Sequence, residues 1–312
     1  MMHLLRRIGY LLLALVSCLS VTAFAKQQAP EQPAAQQAQA APAASERAVP
    51  ALWKVSRGDT TIWLFGTIHA LPEGIDWFHG PVRSAFEGSQ ELVTEITETD
   101  PAEMQQLVLA HAMLPKGQSL RGMLTPGEKA SYEAQLGKLD LPAQTFDGYE
   151  PWYAAIALST MPLLRSGYDA RNGVEQILDA RARELGHPHS ALETAAYQIG
   201  LFDSLPLDTQ KHYFAEVIDK LPTVTEELGQ IVAAWRKGDA EGLAKLMNDD
   251  EDDPALVDML LTKRNKAWAR WIEQRLDKPG SVFIAVGAGH LAGPGSVQDQ
   301  LAAAGISAQR IQ

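Results

Sequence analysis

The sequence predicts an α/β (α+β) fold: a central mixed sheet with strand-Gly-x-x-His-helix units at both ends of the domain and a large helical insertion between them. Two apolar segments, residues 61–65 and 282–286, run directly into Gly-x-x-His motifs, each followed by a loop and a short helical pattern. From about residue 101 to 277, apolar residues recur mainly at helical spacing. The chain has 312 residues and is 46% hydrophobic, so it can bury a sizeable core.

The domain is predicted to open with a β-hairpin. Strand-forming residues at 52–55 and 61–65 flank Gly58-Asp59, a pair that favours a tight turn. After the first Gly-x-x-His motif, we expect a short helix near residues 81–86. A strand is expected next at residues 91–97, where Val, Ile and Thr occur close together.

The middle and the end of the domain follow from the same kind of pattern. Proline and glycine breaks divide the insertion into separate helices, and one extended piece at residues 189–194 predicts a short strand. The continuous apolar run at residues 282–286 predicts a central strand that is covered on both faces. A helix near residues 296–304 and a final strand at residues 306–311 complete the predicted domain.

The N-terminus has the layout of a secretory signal. Arg6 and Arg7 precede an apolar run at residues 8–16, and an Ala-x-Ala cleavage pattern follows at residues 23–25. We therefore expect residues 1–25 to be a signal peptide and the mature protein to be periplasmic or secreted.

Cys18 opens an alternative, in which it is lipidated and the product is a lipoprotein. The apolar segment continues past Cys18 toward the cleavage pattern, which favours a simple signal. Cys18 is the only cysteine, so the mature chain would have no disulfide and no thiolate ligand. Residues 26–50 are rich in Gln, Ala and Pro and predict a flexible tether, which leaves residues 51–312 for the folded domain.

Charge and hydropathy restrict the partners. The formal net charge is −11, which argues against nucleic acids and other polyanions. No apolar run of about 20 residues follows the predicted signal, so we expect no helical membrane span in the mature chain.

His69 and His290 are the first candidate site residues, because each closes a Gly-x-x-His motif after an apolar strand. In open α/β sheets, ligands bind beyond the carboxyl ends of strands, where the two histidines could face one crevice. Gly66 and Gly287 would let the chain turn sharply there. Taken singly, either histidine is more often a loop residue bonded to backbone. The recurrence of the motif in one context favours a shared site for a divalent metal, since neutral imidazole is a common ligand.

Glu95 is the best candidate for a third ligand. Strand alternation would place it on one face with Val93 and Thr97, and a carboxylate inside a strand of β-formers is unusual. Two histidines and a carboxylate with an open position for water are typical of catalytic metal sites. We expect His69, Glu95 and His290 to hold Mn, Co or Zn, or to divide ligation and general-base catalysis among them. The alternative for Glu95 is a solvated position on an edge strand.

The sequence resembles the TraB/GumN family, which includes PrgY and the Tiki metalloproteases. The resemblance lies in short segments that occur in the family's order: residues 52–55, 64–72, 92–95, 173–175, 192–194 with Gln198, and 285–291. It implies an erythromycin-esterase/haem-uptake-like fold and a site at His69, Glu95 and His290. It also implies metal-dependent cleavage of a peptide or protein substrate, as in the Tiki proteins.

Two points stay open at this stage. Glu193 also lies in a matching segment and could bring a second carboxylate to the crevice, or it could be an acid placed favourably at a helix N-terminus. The chain could also be non-catalytic. It could bind a small molecule, haem or a peptide in the same crevice, in polymer export or signalling. It could instead be an interaction module that docks a partner through its helices.

Overall fold

A computed structural model of the chain describes residues 47–247 and 254–312. The predicted signal peptide, Cys18 and most of the predicted tether lie outside the described residues. The division of the chain into signal, tether and domain therefore stays a prediction.

The sheet opens with the predicted hairpin. Strands β1 (Leu52–Arg57) and β2 (Thr60–Thr67) pair in antiparallel register, with Leu52 opposite Phe65. Gly58 occupies the turn with a φ of 53°, a conformation that favours glycine. The hairpin leads β2 directly into the first Gly-x-x-His motif.

Six strands form one mixed sheet in the order β4-β3-β5-β2-β1-β6. The remaining strands are β3 (Glu91–Thr94), β4 (His189–Ala191), β5 (Gly280–Gly287) and β6 (Gln309–Arg310). Strands β2, β5, β3 and β4 run parallel to one another, whereas β1 is antiparallel to both of its neighbours. The predicted mixed α+β architecture is confirmed. The parallel strands bring their carboxyl ends to one edge of the sheet.

Three predicted strands are shorter in the structure. The strand predicted at residues 91–97 ends at Thr94, whose hydroxyl donates to the carbonyl of Ile96 at 2.8 Å and supports a local turn. Glu95 thus lies just beyond the strand, and its predicted place inside the strand is wrong. The pieces predicted at residues 189–194 and 306–311 shorten to β4 and β6, which are the two edge strands of the sheet.

Helices surround the sheet and form the insertion. In chain order they are α1 (Gly80–Glu87), α2 (Pro101–His111), α3 (Leu120–Met123), α4 (Pro126–Lys138), α5 (Pro151–Arg165), α6 (Val174–Leu185), α7 (Ala195–Asp203), α8 (Leu207–Lys220), α9 (Val224–Arg236), α10 (Ala240–Met247), α11 (Pro254–Val257), α12 (Lys263–Arg275) and α13 (Val297–Ala303). A π-helical segment, Asp258–Thr262, joins α11 to α12, and a 3₁₀ turn, Ala288–Leu291, follows β5. No helix in the described ranges has the length and apolarity needed to cross a bilayer.

Alternating strand residues supply two cores, one on each face of the sheet. Phe65 and its neighbours pack on one face with Trp235 of α9. Ile284 and its neighbours pack on the other with Trp268 of α12. The sheet is therefore covered on both faces, as predicted for β5, and both covering helices reach the edge where the parallel strands end.

The insertion has a core of its own. Tyr132 of α4, Trp152 of α5 and Phe214 of α8 are each no more than 1% exposed and belong to one apolar cluster. This core joins α4, α5 and α8 to one another, whereas α6, α9, α10 and α12 pack in the two cores on the sheet.

Candidate functional site

His69, Glu95 and His290 lie together at the carboxyl ends of β2, β3 and β5. Their exposed fractions are 6%, 5% and 0%. Thr67 of β2 is in register with Gly287 of β5, so the two Gly-x-x-His motifs leave the sheet side by side. Parallel pairing of neighbouring strands thus brings the two halves of the sequence into one site.

His69 is oriented by a carboxylate. Its Nδ1 lies 2.5 Å from Oε1 of Glu175, which also accepts a hydrogen bond from the Thr67 hydroxyl. Its Nε2 is buried, and no atom of the described residues is its hydrogen-bond partner. Burial opposes a charge on the ring, but the Glu175 carboxylate outweighs burial and raises the pKa of His69 above its ordinary value. With one proton held on Nδ1 by Glu175, the second proton that the raised pKa favours would sit on Nε2, so a metal ion would bind His69 in competition with that proton.

Glu175 reaches His69 because Gly173 allows a close approach. A Cβ on Gly173 would lie 2.1 Å from the carbonyl oxygen of His69, closer than any side chain could tolerate. Val174, the first residue of α6, donates its backbone N–H to the Ile68 carbonyl at 3.1 Å. The Gly173-Val174-Glu175 segment therefore seats the first turn of α6 against the loop that carries His69.

Glu95 accepts hydrogen bonds on both of its carboxylate oxygens. Its Oε1 accepts from the backbone N–H of Gly287 at 2.8 Å. Its Oε2 accepts from Nη2 of Arg264 at 2.6 Å and from Nε2 of Gln198 at 3.1 Å. Burial alone would raise the pKa of Glu95, but the positive charge of Arg264, with smaller contributions from His290 and His69, lowers it to about 2. Glu95 is thus an ionised carboxylate at neutral pH.

His290 is fixed by an asparagine. Asn265 donates Nδ2–H to the Gly295 carbonyl at 2.8 Å, which turns its Oδ1 toward Nδ1 of His290 at 2.5 Å. Burial, together with the Arg264 charge, lowers the pKa of His290 to about 3. The ring is therefore neutral with its proton on Nδ1. Its Nε2 lies 3.1 Å from Nη1 of Arg264 and 3.8 Å from Oε1 of Glu95.

Glu193 completes the buried network. It accepts hydrogen bonds from Nε and Nη2 of Arg264, from the Trp268 indole at 2.9 Å and from the Gln198 amide at 2.9 Å. The structure thus places this second carboxylate next to Glu95, and the side chains of Arg264, Trp268 and Gln198 donate hydrogen bonds to it.

Glu175 lies in a matched segment but was not predicted as a site residue. The sequence analysis also missed Arg264 and Asn265. Both lie on the buried side of α12, and Arg264 is only 4% exposed. Arg264 and Asn265 lie four and three residues before Trp268, at the spacing of the apolar stripe that continues to Ile272. An Arg-Asn pair in that stripe is a signal that could have identified them. The preceding π-helical segment is a further hint, since such segments are frequent at functional sites.

Gly287 leaves a small space between the three predicted ligands. A Cβ built there would lie 3.1 Å from Oε1 of Glu95, 3.4 Å from Nε2 of His69 and 3.8 Å from Cδ2 of His290. The φ of Gly287 is −48°, which other residues adopt easily, so its backbone does not require glycine. The reason for glycine here is the space that the three side chains share.

Comparison with known proteins identifies one family. The family model for the TraB/PrgY/gumN family matches residues 51–310. The chain is similar to YbaP of Escherichia coli (strain K12), with 23% identity over 81% of this chain and 97% of that protein. It is also similar to a protein of Treponema pallidum (strain Nichols), with 22% identity over 79% of this chain and 78% of that protein. Both relatives are described as uncharacterized. No solved structure matches at a significant level.

Proposed function

Because the chain belongs to the TraB/PrgY/gumN family, we propose that it is a metal-dependent hydrolase, acting on a peptide or protein, whose site is formed by His69, Glu95 and His290. One observation carries the proposal. The Nε2 atom of His69 is buried without a hydrogen-bond partner in the described part of the chain, and it faces the same small space as the Glu95 carboxylate. A buried nitrogen that lacks a hydrogen bond costs free energy unless a ligand satisfies it.

The donor atoms suit a divalent metal. Glu175 holds the proton of His69 on Nδ1, the carboxylate-histidine arrangement that orients metal-binding imidazoles. Oε1 of Glu95 bonds to a single backbone N–H, so a carboxylate lone pair is left for an ion. Imidazole nitrogen and carboxylate oxygen together fit Mn, Co or Zn. His69 and Glu95 would hold the ion first.

His290 could bind the ion only after its Nε2 loses the present contact with Nη1 of Arg264. Within the described ranges, no three His, Cys, Asp or Glu side chains stand ready to hold an ion together. Ligation by all three predicted residues therefore requires Arg264 to release His290.

The proposed hydrolysis would use the bound ion and the two side chains that orient the histidines, Glu175 and Asn265. A bound divalent ion would lower the pKa of a water and polarise the carbonyl of the scissile bond. Glu175 keeps the proton of His69 on Nδ1, and Asn265 keeps that of His290 on Nδ1. Burial of the site strengthens each of these electrostatic interactions. The predicted signal at residues 1–25 extends the proposal to an exported enzyme, periplasmic or secreted.

The test is the metal content of the protein expressed from the full chain. We expect about one equivalent of Mn, Co or Zn by mass spectrometry after reconstitution, and its loss in His69→Ala and His290→Ala. His212→Ala is the matched control, since His212 is 58% exposed and pairs with Glu216 on α8. If both site variants kept the metal content and hydrolysis of a peptide library at the level of His212→Ala, the proposal would be wrong.

Gly287→Ala tests the shared space directly. Because a Cβ there would lie close to Glu95 and His69, we expect metal binding to be lost, with a destabilisation of about 1–3 kcal/mol from overpacking. Gly289→Ala is the control, because its Cβ would meet the flexible end of Met247 rather than the site. Isothermal titration with Zn²⁺ and urea unfolding separate the two effects. Normal Zn²⁺ affinity in Gly287→Ala would show that the ion lies elsewhere.

A second candidate is a non-catalytic protein that binds a ligand at the strand ends. It is favoured by the low exposure of the three side chains and by the Arg264 contacts on two of them. Absence of bound metal after reconstitution would support this candidate, and a Soret band on haem titration would identify one class of ligand.

A further inference from the structure

Arg264 is a cation at the centre of the site, and all of its N–H groups are used. Nη2 donates to Glu95 at 2.6 Å and to Glu193 at 2.8 Å. Nη1 donates to the Leu260 carbonyl at 3.0 Å and lies 3.1 Å from Nε2 of His290, and Nε donates to Glu193 at 2.9 Å. Two predicted metal ligands are therefore bound by a guanidinium, which leaves it no free donor for a substrate anion.

The contact with His290 uses the lone pair that a metal would need. Asn265 fixes the proton of His290 on Nδ1, so Nε2 is an acceptor, and it accepts from Nη1 of Arg264. One lone pair cannot serve a guanidinium and a metal ion at the same time. Ligation by His290 and the Arg264 contact exclude each other.

Glu193 can keep Arg264 bound after the arginine breaks its contact with His290. Glu193 accepts from both Nε and Nη2 of Arg264, and the guanidinium also lies 4.9 Å from the Trp268 ring centroid. Neither contact involves His69 or His290. Arg264 thus binds two carboxylates: Glu95, which belongs to the predicted metal site, and Glu193, which does not.

We propose that Arg264 is a built-in competitor of the divalent ion. It binds Glu95 and His290 in the metal-free protein, and it gives up His290 when the ion enters while Glu193 retains it. The inference rests on the proposed metal site and adds to it. Affinity for the metal is set partly by the cost of displacing the arginine and by repulsion between two cations in a buried site. Arg264 then restricts occupancy to metals whose affinity for imidazole is high enough to displace it.

The direction in which the Zn²⁺ affinity changes on substitution of Arg264 distinguishes competition from positioning. If Arg264 competes with the ion, Arg264→Gln should bind Zn²⁺ at least about tenfold more tightly than the wild type, because one positive charge and one competing donor are gone. If Arg264 only positions Glu95 and His290, the same substitution should weaken binding. Isothermal titration of metal-free protein with Zn²⁺ measures the dissociation constant without any assay of activity.

Arg121 offers a matched control outside the site. It also bonds two carboxylates, Asp147 and Glu133, in the helical insertion. Arg121→Gln should leave Zn²⁺ affinity unchanged. Arg264→Lys keeps the charge but has one donor group instead of a fork, so we expect it to release His290 and to tighten binding by a smaller factor. This second variant decides the question if Arg264→Gln does not fold.

The outcomes separate the two hypotheses. Tighter Zn²⁺ binding in the folded Arg264 variants than in the wild type supports the competition. Wild-type binding with equal or weaker binding in the folded Arg264 variants overturns the competition and leaves the metal site intact. No Zn²⁺ binding in the wild type or in any variant overturns the proposed function, and the competition with it.

Discussion

Glu95→Gln is expected to abolish metal binding and to lower the free energy of unfolding by about 3–5 kcal/mol, the usual cost of removing one partner from a buried ion pair. An amide has one acceptor oxygen, whereas the carboxylate accepts from Gly287 on Oε1 and from Arg264 and Gln198 on Oε2. Whichever way the amide turns, its NH₂ group faces another donor. The variant thus loses both an anionic ligand and a satisfied hydrogen-bond network.

Glu193→Gln is the matched comparison. The side chain of Glu193 is buried to the same degree as that of Glu95 and bonds the same arginine, so its removal should cost a similar amount of stability. It does not face His69, but it is the carboxylate that would retain Arg264 when the ion enters, so Zn²⁺ binding should weaken in this variant rather than disappear. Urea unfolding and Zn²⁺ titration of both variants give the comparison. Equal Zn²⁺ affinities in the two variants would show that Glu95 stabilises the fold without binding the ion.

The sequence predicted the parts of the fold that local pattern controls. The hairpin, the buried strand β5 and the helical insertion follow from alternation, continuous apolar character and helical spacing. The placement of His69 beside His290 was expected from their strand-end motifs. In the structure it results from parallel pairing of β2 with β5, strands more than 200 residues apart in sequence.

Glu95 shows where strand alternation fails as an argument. Its side chain was expected on one face of a strand, but the strand ends at Thr94 and the carboxylate is held by Gly287 of the neighbouring motif. The length of a strand depends on its partners and on local side-chain bonds, and β-propensity reports neither. Proximity to His290 could not be read from residues near Glu95 in the sequence.

Arg264 was missed for a different reason. A charged residue on a helix is normally solvated, and only the known position of α12 over the strand ends shows that this one is buried between two carboxylates. Which helix covers which edge of a sheet is a property of the tertiary packing. The partners of Arg264 lie about 70 and 170 residues away in sequence.

Trp235 is expected to support the site from the opposite side. Its indole N–H donates to the Gly66 carbonyl at 2.7 Å, and its ring packs against Phe65 and Trp77 in the core on that face. Gly66 begins the motif that ends in His69. A single tryptophan therefore ties α9 to the turn that aims the imidazole.

Replacing this side chain in two steps separates packing from hydrogen bonding. Trp235→Ala should lower the free energy of unfolding by about 3–5 kcal/mol, because it empties a fully buried site. Trp235→Phe keeps most of the apolar contact but leaves the Gly66 carbonyl without its donor, at a cost of about 1–3 kcal/mol. If the bond also orients the motif, Trp235→Phe should weaken Zn²⁺ binding although Trp235 lies outside the ligand set. Unchanged Zn²⁺ affinity in a destabilised Trp235→Phe protein would limit the contribution of Trp235 to stability, and the position of His69 would then depend on the contacts of the Gly173-Val174-Glu175 segment.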